Sequence, residues 1–314
     1  MESKPDSSTS RRAVLRGLAA GVAGAGLLPW SIRSVAADGI SVTPLAANLR
    51  MLSGGGGNQL VLATDDGQVL VDSGGGESSD ALLATLAEIS DEPVVALFNT
   101  HWHPDQVGSN EALGNSGTKI FAHEKTRLRL KSGYYLPDED RYVEPLPASA
   151  LPTATIYADG ALQIGGQPIE YGYLLEAHTD GDIYVAFPEL NVIAVGDAAS
   201  PDRDPVLDWF GGGWLGGRLD SLALLLDRSD AQTRFVPSYG PVVGRREIQA
   251  EHDMTLELFD RIVEHIRLGE TARDMLEAGV LDGLGRDFSD PYRLLYDLNK
   301  GFWAHHNKLM HDIV

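Results

Sequence analysis

The stretch VVALFNTHWHPDQ, residues 94–106, carries the strongest structural signal in the chain. It opens with a short apolar run, Val94–Phe98, which predicts a buried strand. Polar residues follow at once, so His101, His103 and Asp105 are expected on the loop at the end of that strand. Two histidines two positions apart on a loop can converge on one ion, and imidazole nitrogen is a good zinc ligand. The stretch therefore predicts a metal site at a strand end.

Two further strand ends carry potential ligands. His178 comes shortly after an apolar strand pattern at Ile169–Leu174, and Asp197 comes shortly after Val192–Val195. A catalytic zinc site needs three protein ligands and one open position for water. Three imidazoles and a carboxylate at strand ends provide such a set. Because the histidine motif and the strand-end positions agree, we favour a metal site over the alternative that these are unrelated polar residues in turns.

The first 37 residues resemble a twin-arginine export signal. Arg11 and Arg12 form the arginine pair, a weakly apolar segment rich in glycine and alanine spans Gly17–Trp30, and small residues at Ser34–Ala37 suit a signal peptidase. The apolar segment is too short and too rich in glycine to span a bilayer comfortably. We therefore expect an exported, periplasmic protein that uses the twin-arginine machinery and keeps no stable membrane insertion after processing.

Composition narrows the classes of function. The chain has 314 residues, 43% of them hydrophobic, and a formal net charge of −20. The predicted leader carries +3, which leaves about −23 for the rest, so nucleic acid is not an expected partner. Cysteine is absent, so any metal must be held by imidazole and carboxylate groups. Such ligands suit zinc, iron or manganese.

Strand and helix patterns mix along the whole mature chain, which predicts an α/β or α+β class built in layers. Helices are expected at Ser79–Ile89, Glu124–Leu130, Arg218–Leu226, Gln249–Leu268, Thr271–Ala278 and Pro291–Leu309. Strands are expected at Leu60–Ala63, Val69–Val71, Val94–Phe98, Lys119–Ala122, Thr155–Tyr157, Ile169–Leu174, Ile183–Phe187, Val192–Val195 and Arg234–Pro237. The proline-containing segment Val143–Pro152 is interpreted as a loop or a join between two halves.

From Gly54 to about Val243, the chain resembles the metallo-β-lactamase superfamily. The motifs that carry the resemblance occur in the family's order and are Asp72, His101-x-His103-x-Asp105, His178, Asp197 and Val236–Pro241. The resemblance implies a four-layer αβ/βα sandwich with the site at one edge. It implies a metallo-β-lactamase-like domain at 38–245, followed by a C-terminal helical extension at 246–314 packed on the same domain.

The resemblance also implies a division of the ligands. His101, His103 and His178 would hold a first metal, whereas Asp105 and Asp197 would serve a second, with Asp197 able to bridge both. Asp72 would support the histidine loop.

Two departures from the family's pattern affect the second metal position. Gln106 stands where the family usually has histidine, and Tyr239 replaces a histidine between the last two glycine-rich positions. A neutral amide is a weak zinc ligand, and tyrosine binds metal only as a phenolate, whose free pKa is about 10. We expect one well-formed site, most simply with one Zn²⁺, and a weak, altered or empty second site. Iron and manganese are the alternatives.

The predicted function is a metal-dependent hydrolase of a small ester, thioester, lactone or amide, with water activated by the metal. Asp105 would accept the proton of that water, Asp197 would orient the water or the ion, and Tyr239 would donate to the developing oxyanion. Tyr239 as a simple packing residue is the equal alternative. β-Lactam hydrolysis is not favoured, because the second site is altered. The alternative function is an exported metal-binding accessory protein of a redox or sulfur-compound pathway with little turnover.

Several other residues are possible components of the site. His123 is predicted to be structural, and Trp102 to pack beside the site. His305, His306 and His311 are interpreted as a solvated helix face, with replacement of a missing ligand by one of them as the alternative. Apolar residues after Asp197 are expected to form a flexible loop that lines the substrate pocket or packs a tight turn, and they are Phe210, Gly211–Gly213, Trp214 and Leu215.

Overall fold

A seven-stranded sheet carries the histidine loop. The computed structural model describes residues 39–136 and 140–311, with side chains to residue 306. The first nine strands are β1 (Ser41–Pro44), β2 (Leu49–Ser53), β3 (Gln59–Thr64), β4 (Gly67–Val71), β5 (Val94–Phe98), β6 (Lys119–His123), β7 (Tyr134–Leu136), β8 (Arg141–Val143) and β9 (Ala154–Ile156). The sheet has the order β1-β2-β3-β4-β5-β6-β9, while β7 and β8 pair as a separate hairpin. Strands β1 to β4 pair antiparallel, and β4, β5, β6 and β9 pair parallel.

A six-stranded second sheet supplies the other ligand-bearing strand ends. Its strands are β10 (Gly160–Ile164), β11 (Gln167–Leu174), β12 (Asp182–Phe187), β13 (Val192–Gly196), β14 (Arg234–Pro237) and β15 (Val243–Gly244), in sequential order. All neighbours are antiparallel except β13 and β14, which run parallel. Because these two strands are parallel, the residues that follow them emerge at the same edge.

Helices cover the outer face of each sheet. They are α1 (Ser79–Ile89), α2 (Pro104–Val107), α3 (Asn110–Asn115), α4 (Glu124–Ser132), α5 (Leu215–Asp227), α6 (Arg245–Arg267), α7 (Ala272–Glu277) and α8 (Pro291–His311). Leu82 and Leu86, four positions apart on one face of α1, bury against the first sheet. Leu222 and Leu225 of α5 do the same against the second sheet.

The main core lies between the two sheets. Phe98 and Leu62 of the first sheet pack in one cluster with Val185 and Val236 of the second, and all four are buried. Helices outside two apposed sheets make four layers, which confirms the predicted αβ/βα sandwich. Burial of this apolar surface, worth about 25 cal/mol per Å², is the main favourable contribution to stability.

The C-terminal helices add a second cluster. Ile248, near the start of α6, belongs to the core under the second sheet. Leu258 and Ile262, further along α6, pack instead with Met275 of α7 and Leu295 of α8. Among the described residues, we find no helix with the length and apolar character needed to cross a bilayer. The predicted leader, residues 1–37, lies outside the described part of the chain.

The bounds of most predicted elements are right to within a few residues, with two corrections. Helix α5 begins at Leu215, so Leu215 belongs to a helix and not to the predicted loop. The segment at 143–152 is not wholly a loop, because Val143 ends β8 and Ala148–Ala150 forms a short 3-10 helix. Strands β1 and β10 were not predicted, since they lie at sheet edges and bury little of their surface.

Candidate metal centre

Loops from four strand ends meet at one edge of the sandwich. His101 and His103 follow β5, His178 follows β11, Asp197 follows β13, and Tyr239 follows β14. The site is therefore assembled from both sheets, which the interlayer core holds together.

Three imidazole nitrogens converge in this edge. One ring nitrogen from each of His101, His103 and His178 lies within 4.8 Å of the others, and His178 Nε2 is 3.0 Å from His103 Nδ1. Ligands about 2.0 Å from a tetrahedral zinc ion lie about 3.3 Å apart, so the spacing is close to that of a zinc site. His101 Nε2 is buried and has no hydrogen-bond partner. This unpartnered nitrogen is the kind of atom that a metal ion would satisfy.

The other nitrogen of each ring is held by a hydrogen bond. His178 Nδ1 lies 2.7 Å from the carbonyl oxygen of Val206, which can only accept, so His178 Nδ1 carries the proton. His103 Nε2 donates in the same way to Asp208 Oδ2 at 3.1 Å. Both inward nitrogens then present lone pairs that face each other, an arrangement that favours a cation between them.

Thr100 and Asp72 complete the support for the third imidazole. His101 Nδ1 lies 3.1 Å from Thr100 Oγ1. Asp72 accepts from the backbone N–H of Thr100 at 2.7 Å and from its hydroxyl at 2.8 Å. Asp72 has a φ of 59°, a left-handed conformation that costs an aspartate little compared with bulkier residues. These contacts agree with the expected role of Asp72 in supporting the histidine loop.

Burial keeps two of the three imidazoles neutral. It lowers the pKa of His178 to about 3 and holds the pKa of His101 well below its usual value. Burial also acts to lower the pKa of His103, but the hydrogen bond and charge of Asp208 outweigh it and raise that pKa. Neutral imidazole is the form that binds metal, so metal binding at His103 would compete with a proton.

Asp197 lies beside the imidazoles and beside a cation. Its Oδ2 atom is 3.6 Å from His101 Nε2 and 3.8 Å from His178 Nε2. Its other oxygen, Oδ1, forms a short ion pair with Arg203 Nη2. The backbone carbonyl of Asp197 accepts from Arg218 Nη1 at 2.8 Å, which fixes the start of the loop.

Asp105 lies apart from the three imidazoles, in a different set of contacts. Its Oδ2 atom accepts a short hydrogen bond from the Tyr239 hydroxyl and another from Gln106 Nε2 at 3.0 Å. Burial and the negative charge of Asp105 raise the pKa of Tyr239 well above its ordinary value. These surroundings favour the neutral phenol over the phenolate. Its proton points to Asp105, so donation to an oxyanion would require this bond to exchange.

A cavity of about 380 Å³ opens onto this edge. His103, Asp105, Asp208 and Tyr239 form its polar part. Its remaining walls are largely apolar, with one arginine, and are formed by Pro104, Leu136, Val206, Leu207, Trp209 and Arg293. The loop after Asp197 lines the pocket through residues 206–209. Gly211–Gly213, Trp214 and Leu215 are not lining residues, so the expectation that they line the pocket is wrong, and the N–H of Gly213 instead closes a turn on the carbonyl of Asp208 at 2.9 Å. Phe210 is half exposed and is not a lining residue.

His123 and His305 make packing and hydrogen-bond contacts outside the three-imidazole cluster, and Trp102 packs beside it. His123 caps α4 by accepting from the backbone N–H of Lys125, as expected of a structural residue. Trp102 is buried and stacks edge-on against His103. His305 stacks on Trp214 and hydrogen-bonds Glu176 at 3.0 Å, away from the three imidazoles.

His306 stacks on Phe302, and neither His305 nor His306 supplies a missing ligand. The side chain of His311 lies outside the described residues.

Sequence reasoning missed two residues of the site, Asp208 and Arg203. Both lie in the segment between β13 and α5, which runs from 197 to 214 without a helix or strand. Loops of this length in a compact domain are commonly functional, so the length was the available signal. Which of its charged residues turn inward is decided by the path of the loop.

The fold and the site define a metal-binding αβ/βα sandwich. The profile of the metallo-beta-lactamase superfamily matches residues 52–239, more than half of the chain, and the chain belongs to this superfamily. A metallo-beta-lactamase, IND-1, from Chryseobacterium indologenes is 31% identical over 43% of this chain and 52% of its own length. A linear primary-alkylsulfatase from Pseudomonas sp. is 25% identical over 69% of this chain and 48% of its own length. The chain thus spans about half the length of these two relatives.

Solved structures show the same fold. A metallo-beta-lactamase from Pontibacter korlensis superposes with a TM-score of 0.57 at 22% identity, over 69% of this chain and 99% of that chain. A stereoselective inverting sec-alkylsulfatase from Pseudomonas sp. superposes with a TM-score of 0.62 at 16% identity, over 84% of this chain and 50% of that chain.

Proposed function

We propose that this chain is a hydrolase that uses a metal-activated water on a small substrate. The observation that carries the proposal is the convergence of three imidazole nitrogens whose outer nitrogens are all held by hydrogen bonds. Structural histidines have no need of such an arrangement, whereas metal ligands are commonly oriented in this way. The family of the chain supports the same function.

His101, His103 and His178 would hold the ion, and Zn²⁺ is the proposed metal, with iron and manganese as alternatives. A bound zinc ion would lower the pKa of a coordinated water to about 7 and polarise the bond to be cleaved. We propose a single ion, because the oxygen of Asp105 nearest Gln106 and Tyr239 already accepts two hydrogen bonds.

The carboxylates would handle protons. Asp197 Oδ2 faces the imidazole nitrogens at 3.6–3.8 Å and would orient the attacking water. Asp105 lines the cavity and would accept the proton of that water and return it to the leaving group. Tyr239 would hold Asp105 in place and donate to the oxyanion once its bond to Asp105 is exchanged.

The cavity favours a small substrate with an apolar portion. Its volume of about 380 Å³ and its walls of Leu136, Val206 and Trp209 suit such a molecule. We propose a small ester, thioester, lactone or amide as the substrate class. β-Lactams belong to this class, although the altered second metal position does not favour them.

Sulfate esters are the second candidate class. The match to the linear primary-alkylsulfatase covers 69% of this chain, compared with 43% and 60% for two metallo-beta-lactamases. Among the structures, the sec-alkylsulfatase covers 84% of this chain, against 69% for the Pontibacter lactamase.

A substrate panel on metal-loaded protein tests the proposal. The purified chain is loaded separately with Zn²⁺, Mn²⁺ and Fe²⁺ and assayed on carboxylic esters, thioesters, lactones, β-lactams and alkyl sulfates. His103→Ala is the control, and it should lose both metal and turnover. Bound metal without turnover on any class would support the accessory-protein alternative, and turnover retained by His103→Ala would overturn the metal-dependent scheme.

We also propose that residues 1–37 direct export through the twin-arginine machinery to the periplasm. The proposed division is 38–245 for the catalytic domain and 246–314 for the helical extension packed on it. Replacement of Arg11 and Arg12 by lysine should retain the protein in the cytoplasm, as measured by cell fractionation. Unchanged export of that variant would contradict this route.

A further inference from the structure

The guanidinium of Arg203 contacts both Asp197 and the ring of Tyr239, two of the residues that the family resemblance associates with a second metal. We propose that Arg203 is a built-in cation that takes the place of the second metal and neutralises Asp197. This inference deepens the proposed function and rests on it, because it presupposes a metal ion on the three imidazoles. Three sets of contacts carry it.

The two oxygens of Asp197 face the imidazole cluster on one side and Arg203 on the other. Oδ2 faces His101 Nε2 and His178 Nε2, and Oδ1 pairs with Arg203 Nη2. Asp197 would therefore lie between an ion held by the imidazoles and the guanidinium of Arg203. The carboxylate is nearly buried, with 6% of its side chain exposed, whereas Arg203 is 33% exposed. Arg203 thus neutralises Asp197 from the open side of the site.

The ring of Tyr239 packs against the guanidinium of Arg203. The Cζ atom of Arg203 lies 4.1 Å from the centroid of that ring, within the range of a cation–π contact. The family has histidine at this position, which would offer a lone pair to a metal. Tyrosine offers an aromatic face to a guanidinium. We therefore infer that Tyr239, in place of the family's histidine, serves to bind Arg203.

One oxygen of Asp105, Oδ2, is occupied by two hydrogen-bond donors. Oδ2 accepts from the Tyr239 hydroxyl and from Gln106 Nε2. Gln106 Oε1 is buried without a hydrogen-bond partner. It is an uncharged amide oxygen where the family usually has a histidine nitrogen. An amide oxygen is a weaker zinc ligand than the imidazole nitrogen that the family usually has at this position. The residues present therefore do not fit a second metal ion.

Restoring the family's histidines tests whether Arg203 excludes the second ion. The full-length protein, the double variant Gln106→His/Tyr239→His and the same double variant with Arg203→Ala are dialysed against Zn²⁺. Elemental analysis then gives the number of ions per chain, and Co²⁺ absorption spectra give the coordination. We expect one ion in the wild type, one in the double variant and two in the triple variant. Two ions in the double variant, with Arg203 in place, would overturn the inference.

The single variant Arg203→Gln gives an independent test if the triple variant does not fold by circular dichroism. Removal of a positive charge beside the first site should tighten zinc binding by about tenfold, measured by competition with a chelator. Arg203→Lys, which keeps the charge, should remain close to the wild type. A purely structural arginine would loosen the loop and weaken binding in Arg203→Gln, so weaker or unchanged binding contradicts the inference. If the wild type binds no metal, the proposed function itself fails, which is a separate outcome.

Discussion

Asp208 Oδ2 lies 3.1 Å from His103 Nε2, and this contact determines which nitrogen of His103 faces the other two imidazoles. The carboxylate holds the proton on Nε2 and leaves the lone pair of Nδ1 directed inward. Both side chains are largely buried, at 16% and 11% exposure, so solvent weakens the interaction little. Asp208 therefore belongs to the metal site although it contacts no metal-binding atom.

Asp208→Ala should weaken metal binding by about 10- to 100-fold, because residues that orient a ligand histidine have effects of this size. Isothermal titration with Zn²⁺ measures the change. Asp202→Asn is the matched control, since Asp202 is an exposed carboxylate of the same loop, and its affinity should not change. Equal losses in the two variants would show that the effect comes from net charge and not from the hydrogen bond.

Thr100→Val should destabilise the metal-free protein by about 1–3 kcal/mol, because it leaves Asp72 Oδ2 buried without its hydroxyl donor. It should also weaken metal binding, since His101 Nδ1 loses its partner. Urea denaturation of the metal-free protein measures the first effect, and chelator competition measures the second. Thr100→Ser, which keeps the hydroxyl, should retain most of both properties; a loss as large as that of valine would argue that the methyl group matters instead.

Arg218→Met should destabilise the fold by about 3–5 kcal/mol, because it leaves the carboxylate of Glu251 buried and without its cation. The pair is 2.5 Å long and almost wholly buried, and Glu251 also accepts from the backbone N–H of Ser200. The double variant Arg218→Met/Glu251→Leu should be less destabilised than Arg218→Met alone. Chemical denaturation measures all three proteins, with Arg246→Ala as the exposed control, which should match the wild type.

Removal of the metal by a chelator should lower the melting temperature of the wild type. A ligand at about 1,000 times its dissociation constant adds about 4 kcal/mol of stability, and the chelator removes that contribution. His103→Ala should melt at a temperature that chelator does not change. A wild-type protein whose melting temperature is insensitive to both chelator and added Zn²⁺ would argue against a bound metal.

The stability of the metal-free protein should decrease on acidification through His123. Burial, with the nearby charge of Lys125, lowers the pKa of His123 to about 4, below its unfolded value of about 6.5. Above pH 6.5 the histidine is neutral in both states, so it makes no pH-dependent contribution. Between about 6.5 and about 4 the unfolded state binds the proton first, so stability falls as the pH falls.

His123→Asn keeps an acceptor for the backbone N–H of Lys125 and cannot titrate. The difference in unfolding free energy between wild type and His123→Asn should therefore change between pH 7 and pH 4, in the direction that disfavours the wild type at low pH. Other titrating groups are common to both proteins and cancel in this difference. A difference that is constant across this range would show that His123 is not a buried neutral group.

Much of the fold could be predicted from local patterns. The strand at Val94–Phe98 and the helix at Ser79–Ile89 have the predicted bounds. Each buries one apolar surface, and the spacing of its apolar residues in the sequence reveals that surface. Edge strands such as Gly160–Ile164 were not predicted, since their partly exposed residues leave a weak pattern. Their pairing comes from a neighbouring strand and not from their own sequence.

For the site, the sequence was enough to predict the candidate ligand types and their order along the chain. His101 and His103 share one loop, and Gln106 and Tyr239 stand where the family pattern usually has histidine. Only the tertiary structure decided which charged residues join them. Asp208 is 105 positions from His103, and Arg203 reaches both Asp197 and the ring of Tyr239. The reason is physical: a short motif fixes its own geometry through local backbone constraints, whereas a long loop takes the path that packing against the two sheets allows.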